Sequence, residues 1–143
     1  MQIRQLINDF ECVRLGPDDT VIAAVHKMVA CTCGSVLVQD ADGKMQGIFT
    51  ERDLMTRVIS KDLLPADVIL KTVMTTEVYS VTPEDKVTEV RRELRQRHIR
   101  HVPVLEDGKV LAVLSMRDLL AADFAAQRES AKAMDAYIRG EPQ

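Results

Sequence analysis

Two heptads in this chain follow one order of residue types: Gly47-Ile48-Phe49-Thr50-Glu51-Arg52-Asp53 and Ala112-Val113-Leu114-Ser115-Met116-Arg117-Asp118. Each runs small, apolar, apolar, hydroxyl, any residue, arginine, aspartate. A hydroxyl three residues ahead of a carboxylate has the spacing of a helix capping box, Thr50 with Asp53 and Ser115 with Asp118. A cap is worth about 1 kcal/mol, enough to account for the pattern through stability alone. The same junction can also hold a ligand. A strand that turns into a helix presents free N–H groups and the positive end of the helix dipole, which suits phosphate. A carboxylate there can accept hydrogen bonds from the vicinal hydroxyls of a ribose. The residues alone leave both readings open.

Other chemistries are less well served. Cys31-Thr32-Cys33 with Cys12 and His26 could ligate a metal, but structural zinc sites usually space their cysteines as CxxC and use four ligands. No metal is expected. Arg91, Arg92, Arg95, Arg97, His98, Arg100 and His101 form a basic cluster, yet the chain has no Trp, three Phe and two Tyr. Single-strand binders stack bases on several aromatics, so a nucleic-acid partner is not expected. There is no HExxH, GxSxG or phosphate-loop motif. The histidines lack a nucleophile partner, and nothing in the sequence activates Cys33. The chain therefore reads as a non-enzyme with no catalytic cofactor.

The elements that must position the heptads also repeat. At an offset of 66, Ile3 meets Ile69, Glu11 meets Glu77, Pro17 meets Pro83, and Asp19 meets Asp85. Val21, Val36 and Val38 meet Val87, Val102 and Val104. One residue is lost at the turn Asp40–Gly43, after which Gly43, Arg52, Asp53 and Leu54 meet Gly108, Arg117, Asp118 and Leu119. Each unit reads β-α-β-β-α. Cys12–Leu15 and Val78–Val81 are short extended segments. Thr82-Pro83-Glu84-Asp85 has the composition of a helix start, with Thr82 as cap. Hairpins around Asp/Gly turns follow, and residues 116–139 form one long helix with Leu119, Leu120, Phe124, Met134 and Ile138 as an apolar stripe. The fold class is α+β: two tandem repeats related by a pseudo-two-fold axis, their sheets packed together with flanking helices. The expected units are 1–62 and 68–124, with 125–143 as a C-terminal helical extension.

The repeat, Thr82-Pro83, Ile99-Arg100-His101-Val102-Pro103-Val104 and both heptads resemble tandem CBS domains, the Bateman module, over roughly residues 3–124. The stand-alone two-repeat type is the nearest description. Ala112 departs from the usual Gly of the heptad, a change between two small residues. The resemblance implies binding of an adenosine nucleotide (AMP, ADP or ATP), with NAD(H) and S-adenosylmethionine as further candidates. It places two clefts between the repeats. One takes Ser115, Arg117 and Asp118 with Arg100 and His101, walled by Cys33, Gly34 and Ser35. The other takes Thr50, Arg52 and Asp53, with Ile99, Arg100, His101 and Val102 opposite. In each, the Asp would hold a ribose and the hydroxyl residue would lie near phosphate. A phosphate beside His101 would favour its charged form, so affinity is expected to rise as pH falls. The resemblance further implies a homodimer, and a separate regulated protein that receives the signal. The alternative is a module that docks on a partner without any nucleotide.

Composition lies in the range of soluble globular chains: 143 residues, 46% hydrophobic, 29% charged, net charge −3. Mild acidity does not recruit nucleic acid or an anionic membrane. No apolar run approaches the ~20 residues of a membrane helix. The N-terminus lacks a signal-peptide core, and three cysteines make a poor disulfide framework. The cytoplasm is the expected compartment, with no membrane partner.

Overall fold

The computed structural model describes residues 1–7 and 12–140. A 3-10 turn at Ile3–Gln5 precedes β1 (Arg14–Leu15), α1 (Val21–Cys31), β2 (Ser35–Gln39) and β3 (Met45–Thr50). The next helix, α2 (Glu51–Asp53), widens into a π turn over Leu54–Val58 and tightens to 3-10 at Ile59–Lys61. Then come α3 (Leu70–Val73), α4 (Val87–Gln96), β4 (His101–Glu106), β5 (Lys109–Ser115) and α5 (Met116–Arg139). The strands form one sheet in the order β1-β2-β3 and a second of β4-β5. The expected α+β class and tandem arrangement are therefore present.

Both hairpins fold as their turn residues dictate. Gly43 and Gly108 adopt positive φ, and Asp107 joins Gly108 there, the backbone a tight hairpin turn demands. The register slips at matching places, between Val38 and Gln39 and between Val104 and Leu105. Alternation then sorts the side chains. Val36, Val38 and Phe49 join Val21, Ala24 and Met28 in one buried cluster. Val102, Val104, Ala112 and Leu114 join Val87, Val90, Leu94 and Leu119 in another. The opposite face carries Leu37 paired with Ile48 and Pro103 paired with Val113. Leu37 and Ile48 are buried as well, so the first hairpin is covered on both faces. Arg14 of β1 donates to the carbonyl of Val110 in β5 at 2.9 Å, tying one sheet to the other.

The two halves exchange their leading segments. Ile3 packs in the cluster of the second hairpin, whereas Leu70 and Val73 pack in that of the first. The hydrogen bonds are reciprocal. Ile3 N–H donates to Asp85 O and Arg4 N–H to Pro83 O, while Leu70 N–H donates to Asp19 O and Lys71 N–H to Pro17 O. This corrects one pairing: Ile3 is equivalent to Leu70, not to Ile69. Both Ile3 and Leu70 are fully buried.

Further expectations are refined. Thr82 does not cap α4, whose N-cap is Lys86 with no side-chain bond. Asp85 instead accepts from Thr82 N–H at 2.8 Å, closing a turn before the helix. Asp19 does the same for Gly16 at 2.7 Å. The extended segment Val78–Val81 pairs only at Val81, which bridges to Val104. Of the expected apolar stripe, Leu119 lies in the core and Leu120, Phe124, Met134 and Ile138 are exposed.

Candidate functional site

Each heptad spans the junction from hairpin to helix. Thr50 N–H donates to Asp53 Oδ2 at 3.0 Å, and Asp53 N–H donates to Thr50 Oγ1 at 3.2 Å. Ser115 and Asp118 repeat this box at 2.7 and 3.1 Å. The first helical N–H reaches across to the residue preceding the hairpin. Glu51 N–H donates to Gly34 O at 3.1 Å, and Met116 N–H to Arg100 O at 2.8 Å. The capping chemistry is thus made in both copies.

The two carboxylates differ beyond the box. Asp53 is buried and also accepts from Thr75 Oγ1 at 3.2 and 3.3 Å, with Arg57 Nε at 3.6 Å from Oδ1. Asp118 is half-buried and has only the capping bonds among the described residues. The segment that holds Thr75 approaches because Ile48 and Thr75 exchange two backbone hydrogen bonds at 2.9 Å. That approach explains the small first residue of the heptad. A Cβ on Gly47 would lie 2.6 Å from Thr75 O. By the repeat offset, residues 9–11 correspond to 75–77 and lie outside the described residues, as do Glu11 and Phe10.

A cavity of about 570 Å³ opens between the halves. Thr50, Arg52 and Asp53 line it from the first heptad, and Ile99, Arg100 and His101 line it from the second repeat. These six expected residues are therefore brought together. Val102 is fully buried in the second core and does not line the cavity, because it faces α4 rather than the first repeat. Cys33 and Gly34 sit between α1 and β2, Ser35 opens β2, Ser115 ends β5, and Arg117 and Asp118 lie in the first turn of α5; none of them lines this cavity. His101 connects the two groups: a Cβ on Gly34 would lie 3.0 Å from His101 Nε2 and 3.3 Å from Glu51 Cδ.

The cavity also takes Glu51, Arg57, Thr75, Glu77 and Tyr79, which the sequence reading did not single out. The identity of Glu11 with Glu77 at the repeat offset was the one available signal. Arg52 donates to the carbonyl of His98, which has left-handed backbone at the end of α4. Arg57 donates to Val73 O at 3.2 Å and Met74 O at 3.0 Å. Burial pushes His101 below its ordinary value, against the opposing pull of Glu51 and Asp118. Without a phosphate beside it, the imidazole is accordingly neutral at pH 7. Burial also raises the Cys12 and Cys33 thiols, so neither is an activated nucleophile. Among the described residues no group of three His, Cys, Asp or Glu is arranged to hold a metal ion. In the basic cluster, Arg91 pairs with Asp123, and Arg97 pairs with Glu93 at 3.1 Å while stacking 4.3 Å from the Tyr79 ring. Among the described residues no helix is long and apolar enough to cross a membrane.

Comparison with known proteins accords with this geometry. The CBS domain model matches residues 3–60 and again 70–125. The CBS domain-containing protein CBSX3, mitochondrial, of Arabidopsis thaliana is 33% identical over 86% of this chain and 62% of its own length. The chain spans only 19% of another relative from the same plant, CBSCBSPB2. A crystal structure of a CBS-domain-containing protein from Agrobacterium tumefaciens is 29% identical, covers 86% of this chain and 99% of its own, and superposes with a TM-score of 0.80. The CBS domain pair of protein MJ0100, in complex with 5′-methylthioadenosine and S-adenosyl-L-methionine, is 16% identical and shares the fold, covering 89% and 98% with a TM-score of 0.77. Two matched segments, reciprocal lead segments and a heptad at each hairpin–helix junction make this chain a member of the CBS-domain family, a tandem pair of CBS repeats.

Proposed function

We propose that this CBS pair is a regulatory module that binds an adenosine-containing ligand in the cavity between its repeats. The carrying observation is that one cavity is lined by the first heptad and by Ile99–His101 of the second repeat. A ligand there touches both halves, so it can favour one relative arrangement over another. Its volume lies within the range of small-molecule sites. Ile48, Met55, Val78 and Ile99 supply apolar lining for a base, and Asp53 lies where a ribose could bond. A second cleft at Ser115, Arg117 and Asp118, walled by Cys33, Gly34 and Ser35, belongs to the same proposal. So does a separate regulated protein. The 5′-methylthioadenosine and S-adenosylmethionine of the MJ0100 pair support an adenosyl ligand as a class.

The test is a thermal-shift panel of AMP, ADP, ATP, NADH, S-adenosylmethionine and 5′-methylthioadenosine. A ligand at one hundred times its Kd stabilises the folded state by about 2.7 kcal/mol. The expected result is a melting temperature raised by several degrees with at least one of them. No shift at millimolar concentration would sink the reading. One observation favours a nucleotide-independent docking module instead: Asp53 already accepts from Thr50 and Thr75 and is ion-paired with Arg57. That reading predicts a flat panel.

A further inference from the structure

The cavity lining carries equal numbers of acidic and arginine side chains. Three carboxylates, from Glu51, Asp53 and Glu77, face three guanidinium groups, from Arg52, Arg57 and Arg100. His101 adds no charge at pH 7, since burial holds its imidazole neutral. Two of the three arginines are already engaged. Arg52 is bonded to His98 O, and Arg57 to Val73 O, Met74 O and the Asp53 carboxylate. Arg100 alone has no side-chain hydrogen bond or ion pair among the described residues, and it is exposed. One guanidinium can grip one phosphate with two parallel hydrogen bonds. Further phosphates would have to lie among Glu51, Glu77 and arginines turned toward backbone carbonyls. Like charges brought together there disfavour each other, more so within a partly desolvated cleft.

We propose that the cavity selects adenosyl ligands of low charge, those with at most one phosphate, and discriminates against di- and triphosphates. This rests on the adenosine-ligand reading above and names the class within it. AMP, adenosine and sulfur-bearing nucleosides such as 5′-methylthioadenosine fall inside the class. ATP falls outside it. Arg100 sets the preference for one phosphate over none, and Glu51 with Glu77 sets the penalty on the second and third.

The chain itself supplies a local probe. It has no tryptophan and two tyrosines, Tyr79 and Tyr137. Tyr79 lines the cavity, and Tyr137 stands exposed near the end of α5. In a Tyr137→Phe chain, tyrosine fluorescence reports Tyr79 alone. Adenosine, AMP and ATP are titrated against it, with correction for nucleotide absorption, both with Mg²⁺ and with a chelator. ATP should bind at least tenfold more weakly than AMP under both conditions. In the same background, Arg100→Ala should lower the ratio of AMP to adenosine affinity about tenfold. Glu51→Gln combined with Glu77→Gln should raise the ratio of ATP to AMP affinity several-fold. ATP binding as tightly as AMP in either condition, or an ATP to AMP ratio indifferent to the Glu substitutions, would overturn the charge selection and leave adenosine binding standing. Silence to all three ligands would overturn the adenosine reading, and the selection with it.

Discussion

Asp53 and Asp118 occupy the same place in two copies of one motif, yet their surroundings are unequal. Asp53 is buried with Thr75 and Arg57 as added partners, whereas Asp118 has the capping bonds alone. Replacing a buried, hydrogen-bonded carboxylate costs about 1–3 kcal/mol, and removing a capping group about 1 kcal/mol. Asp53→Asn should therefore lower the melting temperature more than Asp118→Asn does, and differential scanning calorimetry of both variants measures it. Equal losses would show that Thr75 and Arg57 add nothing. His101 gives a second expectation. Its folded pKa lies below its ordinary 6.5, so the unfolded chain binds more protons as pH drops past that value. The stability that His101 contributes is present above its ordinary 6.5 and is lost as pH declines through the folded pKa. Denaturant melts from pH 8 to 5 should show this slope, and His101→Gln should flatten it. The capping residues were legible in sequence because a cap is a local spacing. Glu77 and Tyr79 were not, because they reach the cavity through the Ile48–Thr75 pairing, which joins residues 27 positions apart.

At the level of elements, the hairpins and their turns followed directly from alternation and from Gly43 and Gly108. The helix after the first heptad did not. Val58 must reach the first core while Arg57 turns to the carbonyls of Val73 and Met74, and the backbone accommodates both through a π turn. No local residue pattern specifies that. Thr82 misled for a related reason: its turn is closed by Asp85, and the helix waits until Val87. Gly47 supports a sharper expectation. A methyl group there would meet the backbone of Thr75, which is held by two hydrogen bonds. Overpacking of this kind costs about 1–3 kcal/mol. Gly47→Ala should be destabilising by that amount in urea melts, even though Ala stands at the equivalent position 112. No change would mean that the Thr75 segment yields freely.

The whole molecule leaves one long surface unaccounted for. Only Leu119 of the 24 residues of α5 is buried. Phe124, Met134 and Ile138 are 64%, 61% and 74% exposed, at helical spacing along one side. A lone helix in water is marginal without tertiary contact, so this stripe supports the proposed homodimer through α5. Light scattering should give twice 16.0 kDa, and Phe124→Lys with Ile138→Lys should return the monomer. A monomeric parent chain at micromolar concentration would end the dimer proposal.

The exchanged lead segments also govern the order in which this protein can be made. The first core needs Leu70 and Val73, so its hairpin and helices leave the ribosome well before they can close around a complete interior. Ile3 belongs with Val87, which is synthesised 84 residues later. At about 5–20 residues per second, the nascent segment around Ile3 waits about 4–17 s for its partner. During that interval its apolar face is open to chaperones and to neighbouring chains, whereas the first core, whose members all lie between residues 13 and 74, has its full interior before the second hairpin is synthesised.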